Sequence, residues 1–248
     1  MKSSVLNLAV DIGNSAVKLG VFQDEKPHIV KRYDHFQPKT ILKLIQEYQV
    51  KNMIIGSVKG FYYHGTQRLK KHLNSLIELT PALPLPITNF YQSPETLGYD
   101  RIAAVTGGMA LFPRTHILVI DAGTAITIDF LNKEGAYIGG NISPGLSMRF
   151  RALHQYTAQL PLLQITEDSG LLGANTQQAI TCGVQNGIIF EITQYIKKIT
   201  EKYQPLTTIL TGGDVNFFDN KLKYPIFAEP DLVLIGLNKI LKYNIYAA

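Results

Sequence analysis

Cysteine and long apolar runs are scarce in this chain of 248 residues. The single cysteine, Cys182, excludes an intrachain disulfide and a metal cluster built from several thiolates. It lies in an apolar helical pattern, so we expect a small buried core residue there and not a nucleophile. No apolar run approaches the roughly 18 residues that span a bilayer, and residues 1–10 lack the cleavage pattern of a signal peptide. We therefore expect a soluble, cytoplasmic protein with no membrane partner.

Several common site designs are also absent from the sequence. There is no Gly-x4-Gly-Lys-Ser/Thr phosphate loop and no Gly-x-Gly-x-x-Gly after a strand. The His-Glu-x-x-His and Gly-x-Ser-x-Gly patterns are missing as well, and the six histidines are scattered without metal-ligand spacing. These absences argue against a P-loop enzyme, a Rossmann dehydrogenase, a zinc protease and a serine hydrolase.

The chain carries a modest excess of positive charge. Lysine and arginine number 24 against 19 acidic residues, which gives a net charge of +5 and a pI of about 9.1. Binding of nucleic acid is one interpretation of such an excess. The densest pairs, Lys70-Lys71 and Lys197-Lys198, lie on helical patterns as solvated faces do, and we expect no nucleic-acid partner. An anionic substrate would equally use the positive field, so charge alone does not decide the function.

Apolar periodicity predicts alternating strands and helices, hence an α/β fold with mixed sheets. The predicted strands are Val5–Asp11, Ala16–Phe22, Asn52–Val58, His116–Asp121, Ala125–Leu131, Ala136–Ile142 and Thr207–Leu210. The predicted helices are Thr40–Tyr48, Thr66–Ile77, Tyr99–Phe112, Asn175–Tyr203 and Asp231–Tyr243.

Two segments nearly half the chain apart repeat one pattern. Leu8–Ser15 and Leu118–Ala125 each form an apolar strand that ends in Asp-x-Gly-polar and leads directly into another strand. One Asp-x-Gly alone is best read as a hairpin turn, but a simple turn needs no second copy. The repetition therefore indicates internal duplication.

The repeated pattern suits the binding of phosphate groups. An aspartate at a strand end holds a hydrated cation or orients a water, and the glycine permits a tight turn. The following hydroxyl or amide and the freed backbone N–H groups then contact phosphate oxygens. Lys18 on the returning strand adds a cation, and Thr211–Asp214 supplies glycines against which an adenosine can lie. Together these three elements predict an ATP site.

Between the two turns lies a glycine, an acid and a base in succession at the start of a predicted helix, Gly98 to Arg101. Asp100 fits two interpretations about equally: a helix N-cap, or the group that accepts a proton from an attacking alcohol. Arg101 would then help to place an anionic substrate. Phosphoryl transfer needs orientation more than a strong base, so an ordinary carboxylate suffices.

In this order the motifs resemble those of type III pantothenate kinases. The matching segments are Asp11–Lys18, Leu97–Arg101, Val119–Thr124, Gly139–Gly145 and Thr211–Gly213. The resemblance implies a duplicated ribonuclease H-like fold of the actin-like ATPase superfamily, with two mixed-sheet halves, 1–114 and 115–248, and an active site in the cleft between them. It also implies ATP-dependent phosphorylation of pantothenate to 4'-phosphopantothenate, the first step of coenzyme A biosynthesis.

The same resemblance assigns roles to individual residues. Asp100 is the expected proton acceptor, Asp121 the ligand of a monovalent cation (K⁺ or NH₄⁺), and Mg²⁺ accompanies ATP. The expected ATP contacts are Asp11, Gly13, Asn14, Ser15, Lys18 and Thr124. The expected pantothenate contacts are Tyr91, Gly98, Tyr99, Asp100, Arg101 and Thr176. Members of the family act as homodimers, so a homodimer is expected here too.

Other interpretations stay open at this point. A sugar or acetate-type kinase would share the fold, although Leu97–Arg101 counts against it. A non-catalytic, nucleotide-dependent regulator is the alternative from another class. Locally, Thr176 also fits a simple helix N-terminal residue, and Tyr91 also fits an aromatic core residue.

Overall fold

A computed structural model of the chain describes residues 5–58, 66–167 and 169–246, so residues 1–4 of the N-terminal segment lie outside it. Its first sheet has the strand order β3-β2-β1-β4-β5. The central strand β1 pairs antiparallel with β2 and parallel with β4, so the sheet is mixed. The strands are β1 (Leu6–Ile12), β2 (Val17–Gln23), β3 (Lys26–Tyr33), β4 (Asn52–Ser57) and β5 (Ser75–Glu78).

The second sheet repeats this arrangement. Its order is β11-β10-β7-β8-β9-β6, so that β9-β8-β7-β10-β11 follows the same path as β3-β2-β1-β4-β5. The central strand β7 pairs in parallel with β10, as β1 does with β4. The internal duplication that the sequence predicts is thereby confirmed. The strands are β6 (Thr88–Asn89), β7 (His116–Ala122), β8 (Ala125–Leu131), β9 (Ala136–Pro144), β10 (Leu206–Thr211) and β11 (Ile226–Ala228).

The helices cover the sheets with their apolar faces. On α1, Ile41, Leu44 and Ile45 are buried in the same core cluster as Leu8 and Val10 of β1, because their spacing puts them on one side of the helix. The longest helix, α5, buries an equivalent series against the second sheet. The helices are α1 (Pro38–Glu47), α2 (Thr66–Lys70), α3 (Tyr99–Leu111), α4 (Leu146–Gln155), α5 (Thr176–Lys202), α6 (Val215–Asp219) and α7 (Leu232–Tyr246).

The chain divides into two compact units that do not follow chain order. The first contains 1–114, 131–138 and 231–248, and the second contains 115–130 and 139–230. The tip of the β8–β9 hairpin pairs with β6 in the first unit, and α7 packs there against β1 and β4. Residues 131–138 and 231–248, which belong to the predicted second half, therefore lie in the first compact unit.

Helices α3 and α7 pack at very close range in the first unit. A Cβ added at Gly236 would collide with the carbonyl oxygen of Ala103, and one at Gly107 with that of Leu232. Only glycine lets the two backbones approach so closely.

A buried chain of asparagines also holds α7 to the first sheet. Asn52 donates to Asn7 and Asn7 donates to Asn238, both at 3.1 Å. Asn238 in turn donates to the backbone oxygen of Asp24 at 2.8 Å. Because each buried amide has a partner, this polar chain fixes the position of α7 without the cost of unsatisfied groups.

One sequence-based element is wrong. The helix expected over Thr66–Ile77 ends at Lys70, and Ser75–Glu78 forms β5, which pairs in parallel with β4. Pairing with a buried strand prevails over a weak helical periodicity here. Within the described ranges, none of the helices combines the length and apolar character that a bilayer crossing requires.

Candidate functional site

The first Asp-x-Gly turn joins β1 to β2. Asp11 is the penultimate residue of β1 and lies opposite Lys18 across the antiparallel pair. The amide of Gly13 donates to the carbonyl of Ala16 at 3.0 Å, which closes the turn. Asn14 and Ser15 at its tip are exposed. Two polar side chains, a carboxylate and an ammonium group thus meet at one edge of the sheet.

Asp100 lies in the first turn of α3. Its Oδ1 accepts a hydrogen bond from the amide of Arg101 at 2.9 Å. The N-cap residue is Gly98, which has no side-chain cap, so the interpretation of Asp100 as the N-cap is wrong. A Cβ at Gly98 would lie 2.5 Å from that same Oδ1. Glycine at position 98 therefore leaves room for the Asp100 carboxylate. Tyr99, the residue between Gly98 and Asp100, is half-buried.

The two carboxylates of the first unit interact electrostatically. The pKa of Asp11 is raised from 3.8 to about 6. Burial is the main cause and the negative charge of Asp100 adds to it, whereas the positive charge of Lys18 lowers the pKa. A nearby cation would favour the ionised form of such a carboxyl group and offset the cost of its burial. Clustered groups of this kind are typical of functional sites.

An aromatic pair orients the side chain of Arg101. The Arg101 guanidinium lies 5.6 Å from the centre of the Tyr91 ring, although Arg101 itself is only 4% exposed. The Tyr91 ring in turn lies 6.1 Å from the ring of Tyr137, which is fully buried. A buried arginine beside tyrosines is prepared for a carboxylate or phosphate, because its desolvation cost is already met.

Two supporting residues escaped the sequence analysis. Asn89 accepts a hydrogen bond from the amide of Tyr91 at 3.0 Å, and Tyr137 packs against the ring of that residue. The pairing of Asn89 with Tyr137 between β6 and β9 brings them together. Neither residue belongs to a motif, and β6 has only two residues. No local signal in the sequence identifies them.

The second Asp-x-Gly turn, in the second unit, also joins the end of one strand to the next strand, but it is one residue tighter. Asp121 is the penultimate residue of β7, and the amide of Gly123 donates to the carbonyl of Ala125 at 3.2 Å. A Cβ at Gly123 would lie 3.1 Å from Asp121 Oδ1, and one at Gly212 would lie 2.5 Å from it. Gly212 also has a φ of +101°, which side chains rarely adopt. Glycine at both positions therefore lets the backbone approach this carboxylate closely.

The turn after β10 lies directly against Asp121 and its neighbour. The amide of Asp214 donates to the carbonyl of Ala122 at 2.8 Å, and Thr211 pairs with Asp121 in the sheet. Partial burial raises the pKa of the Asp214 carboxyl. The predicted third element thus lies beside the second turn, and Asp214 adds a carboxylate that the sequence analysis left without a role.

Thr176 lies elsewhere in the second unit, as the first residue of α5. The cap is Asn175, whose side chain accepts from the amide of Gln178 at 2.9 Å. Thr176 is exposed and lines an open cavity of about 580 Å³ together with Leu153, Leu160 and Ile180. Capping does not require Thr176, so its hydroxyl is available to a ligand.

Carboxylates are too few here for a metal cage made of side chains alone. In the part of the chain that the structure describes, no group of three or more His, Cys, Asp or Glu side chains is arranged to hold a metal ion. Mg²⁺ is commonly bound through one or two carboxylates, water and substrate phosphates. The single carboxylates of Asp11 and Asp121, each beside a glycine turn, fit cations of that kind.

Known proteins share both sequence and fold with this chain. The sequence profile of the family described as type III pantothenate kinase matches residues 7–198. A type III pantothenate kinase of Bacteroides fragilis is 45% identical over 240 residues, which cover 96% of this chain and 98% of that protein.

Solved structures extend the comparison to the fold. A protein of the Baf family of transcriptional activators from Campylobacter jejuni is 25% identical, with a TM-score of 0.61 and coverage of 96% of this chain and 99% of that one. A ROK family protein from Streptococcus pneumoniae is 12% identical, with a TM-score of 0.52 and coverage of 98% and 100%. The second likeness concerns the fold alone, and it agrees with the actin-like, sugar kinase-like architecture of duplicated mixed sheets.

Proposed function

This chain belongs to the type III pantothenate kinase family, and we propose that it transfers the γ-phosphoryl group of ATP to the hydroxyl group of pantothenate. The product is 4'-phosphopantothenate, and the reaction is the first step of coenzyme A biosynthesis. The observation that carries this proposal is the 45% identity to a type III pantothenate kinase over nearly the whole of both chains. The carboxylates of Asp11 and Asp100, which interact within the first unit, supply a chemical basis.

In this proposal Asp100 accepts the proton of the attacking hydroxyl. The carboxylate is held by the amide of Arg101, so one of its oxygens is oriented before substrate binds. Phosphoryl transfer depends mainly on position and charge stabilisation, and a carboxylate of ordinary basicity then suffices to orient the alcohol. The proton passes from the substrate oxygen to Asp100 as the new P–O bond forms.

The phosphate groups of ATP are assigned to the two Asp-x-Gly turns. Backbone amides and short polar side chains at such turns bind phosphate oxygens, and Lys18 offsets their negative charge. The elevated pKa of Asp11 fits a carboxylate whose ionised form is favoured once Mg²⁺ or another cation is bound. The proposed ATP contacts are Asp11, Gly13, Asn14, Ser15, Lys18 and Thr124.

Pantothenate is assigned to residues around the start of α3. It carries a carboxylate, and the buried Arg101 guanidinium over Tyr91 is suited to bind that group. The proposed pantothenate contacts are Tyr91, Gly98, Tyr99, Asp100, Arg101 and Thr176.

Cations, assembly and location complete the proposal. Asp121 would hold a monovalent cation, K⁺ or NH₄⁺, whose charge would stabilise the phosphates. The protein would act as a homodimer in the cytoplasm. Exposed apolar side chains of the second unit are candidate contacts for that dimer: Ile142 is 64% exposed, Phe190 55% and Met148 40%.

The proposal is tested by ADP release from the purified protein with ATP, Mg²⁺ and K⁺. Pantothenate, a hexose, an N-acetylated hexosamine and acetate are supplied one at a time. We expect release that depends on pantothenate alone. Equal stimulation by a sugar or by acetate would contradict the assignment of the substrate and leave a kinase of the same fold.

A nucleotide-binding regulator is the second candidate. The observation that favours it is the likeness to the C. jejuni protein named for the Baf family of transcriptional activators. ATP binding without any pantothenate-dependent ADP release would support this candidate over the first.

A further inference from the structure

Arg149, a residue outside every motif considered so far, links the second Asp-x-Gly turn to the longest helix. It is the fourth residue of α4, and its side chain is 22% exposed. We propose that Arg149 is a positioning residue for ATP: it holds the corner between β9 and α4 (Ser143–Gly145) against the turn that carries Thr124. This inference rests on the proposed function only in that the turn binds nucleotide phosphate.

The corner lies in direct contact with the turn. The amide of Gly145 donates to the carbonyl of Thr124 at 3.2 Å. A Cβ at Gly145 would collide with the carbonyl oxygen of Gly123 and would lie 2.6 Å from that of Thr124. The backbone of the corner therefore fixes the orientation of the Thr124 peptide group.

Arg149 ties that corner in place with three polar contacts. Its Nε donates to the carbonyl of Pro144 at 2.8 Å, and Nη2 lies 3.4 Å from Ser143 Oγ. Nη2 also pairs with Glu191 Oε2. Glu191 belongs to α5, whose neighbouring Ile188 and Ile192 are fully buried in the core. A well-anchored helix thus sets the position of the corner, and through it that of the turn.

Helix stability alone does not favour an arginine at this position. A cation near a helix N-terminus opposes the helix dipole, and α4 has no acidic residue in its first turn and no side-chain cap. The planar guanidinium instead serves a carbonyl, a hydroxyl and a carboxylate at once. A lysine, with one compact ammonium group, cannot reproduce that arrangement.

The test compares Arg149→Met, Arg149→Lys and Glu191→Gln with the unaltered protein. ATP affinity is measured by calorimetry without pantothenate, and KM values for ATP and pantothenate are measured separately. Arg149→Met is expected to weaken ATP binding about tenfold, which corresponds to about 1.4 kcal/mol. The KM for pantothenate should change by less than about twofold, because Arg149 is not among the proposed pantothenate contacts. Arg149→Lys and Glu191→Gln should give intermediate losses.

Glu25→Gln is the matched control. Glu25 pairs with Lys242 at 2.7 Å in the first unit, so the variant removes one charge of a comparable ion pair away from the second turn. It should leave ATP affinity unchanged. If Arg149→Met does not fold, Arg149→Lys and Glu191→Gln decide the matter.

Unchanged ATP affinity in the folded variants, with only a lower melting temperature, would show that Arg149 is purely structural and would overturn the proposal. The absence of ATP binding to the unaltered protein would overturn it as well. Failure of the proposed function has a different signature: the unaltered protein binds ATP but shows no turnover with pantothenate, and the affinity comparison then still tests Arg149.

Discussion

At the scale of single residues, the first unit contains a carboxylate that is costly to ionise. The pKa of Asp11 is raised to about 6, chiefly by burial and then by the charge of Asp100. Between pH 3.8 and about 6 the folded protein binds more protons than the unfolded chain, so stability falls as pH rises through this window. The loss is complete above this window and amounts to roughly 3 kcal/mol, since each pKa unit corresponds to about 1.4 kcal/mol.

Replacing Asp11 by Asn should therefore stabilise the nucleotide-free protein above pH 6, and this gain in stability should shrink as the pH falls towards 4. Thermal unfolding at pH 4.5, 6 and 7.5 measures both effects, and ADP release measures the accompanying loss of activity. Equal melting temperatures for Asp11→Asn and the unaltered protein at pH 7.5 would contradict the electrostatic account.

Asp100 allows a second prediction at this scale. Asp100→Asn keeps the size of the side chain and an acceptor oxygen for the Arg101 amide, but it removes the proton acceptor. We expect ATP binding to persist and kcat to fall by about 10²–10⁴. Glu95→Gln in the preceding turn, an exposed carboxylate, is the control and should retain its rate. Near-normal turnover by Asp100→Asn would rule out the proposed role.

The carboxylate of Asp121 allows a third prediction at the scale of single residues. Asp121→Ala is expected to weaken ATP binding and to abolish the dependence of the rate on K⁺, because the carboxylate between Gly123 and Gly212 is the proposed cation ligand. Rates are measured in K⁺ and in Na⁺ at equal ionic strength. Asp219→Ala, which alters an exposed carboxylate of the same unit, should behave like the unaltered protein. A K⁺ requirement that survives in Asp121→Ala would refute the assignment.

At the scale of elements, the contact between α3 and α7 supports the start of α3 and hence Asp100. Gly236→Ala would force a methyl group against the Ala103 carbonyl, and we expect a loss of roughly 2–3 kcal/mol in the free energy of unfolding. Chemical denaturation measures it. Lys239→Ala in the same helix is the control and should change stability by less than about 0.5 kcal/mol. A loss no larger than that of the control would contradict the close packing.

The elements show which features sequence patterns can predict. α1 and the central strands β1 and β7 carry strong periodic or continuous apolar signals, so their positions follow from the sequence. β5 does not: its four half-buried residues continue a helical periodicity, and only pairing with β4 makes them a strand. β3 was missed because it is an edge strand without a fully buried residue, so it lacks the continuous apolar signal of the central strands.

At the scale of the whole molecule, the duplicated motif carried most of the predictive power. Two Asp-x-Gly segments at equivalent strand ends predicted duplication, and the equivalent strand orders of the two sheets confirm it. The return of α7 to the first sheet depends on contacts between residues far apart in sequence, such as Asn7 and Asn238. Tyr137 supports Tyr91 through the same kind of distant contact. Such pairs leave no local signal.

The central claim is a reaction, and transfer of labelled phosphate tests it most directly. The protein is incubated with γ-labelled ATP, Mg²⁺, K⁺ and pantothenate, and the products are separated and identified by mass. The account predicts labelled 4'-phosphopantothenate from the unaltered protein and a greatly reduced amount from Asp100→Asn. Label that stays in ATP, or appears only in free phosphate, would contradict it.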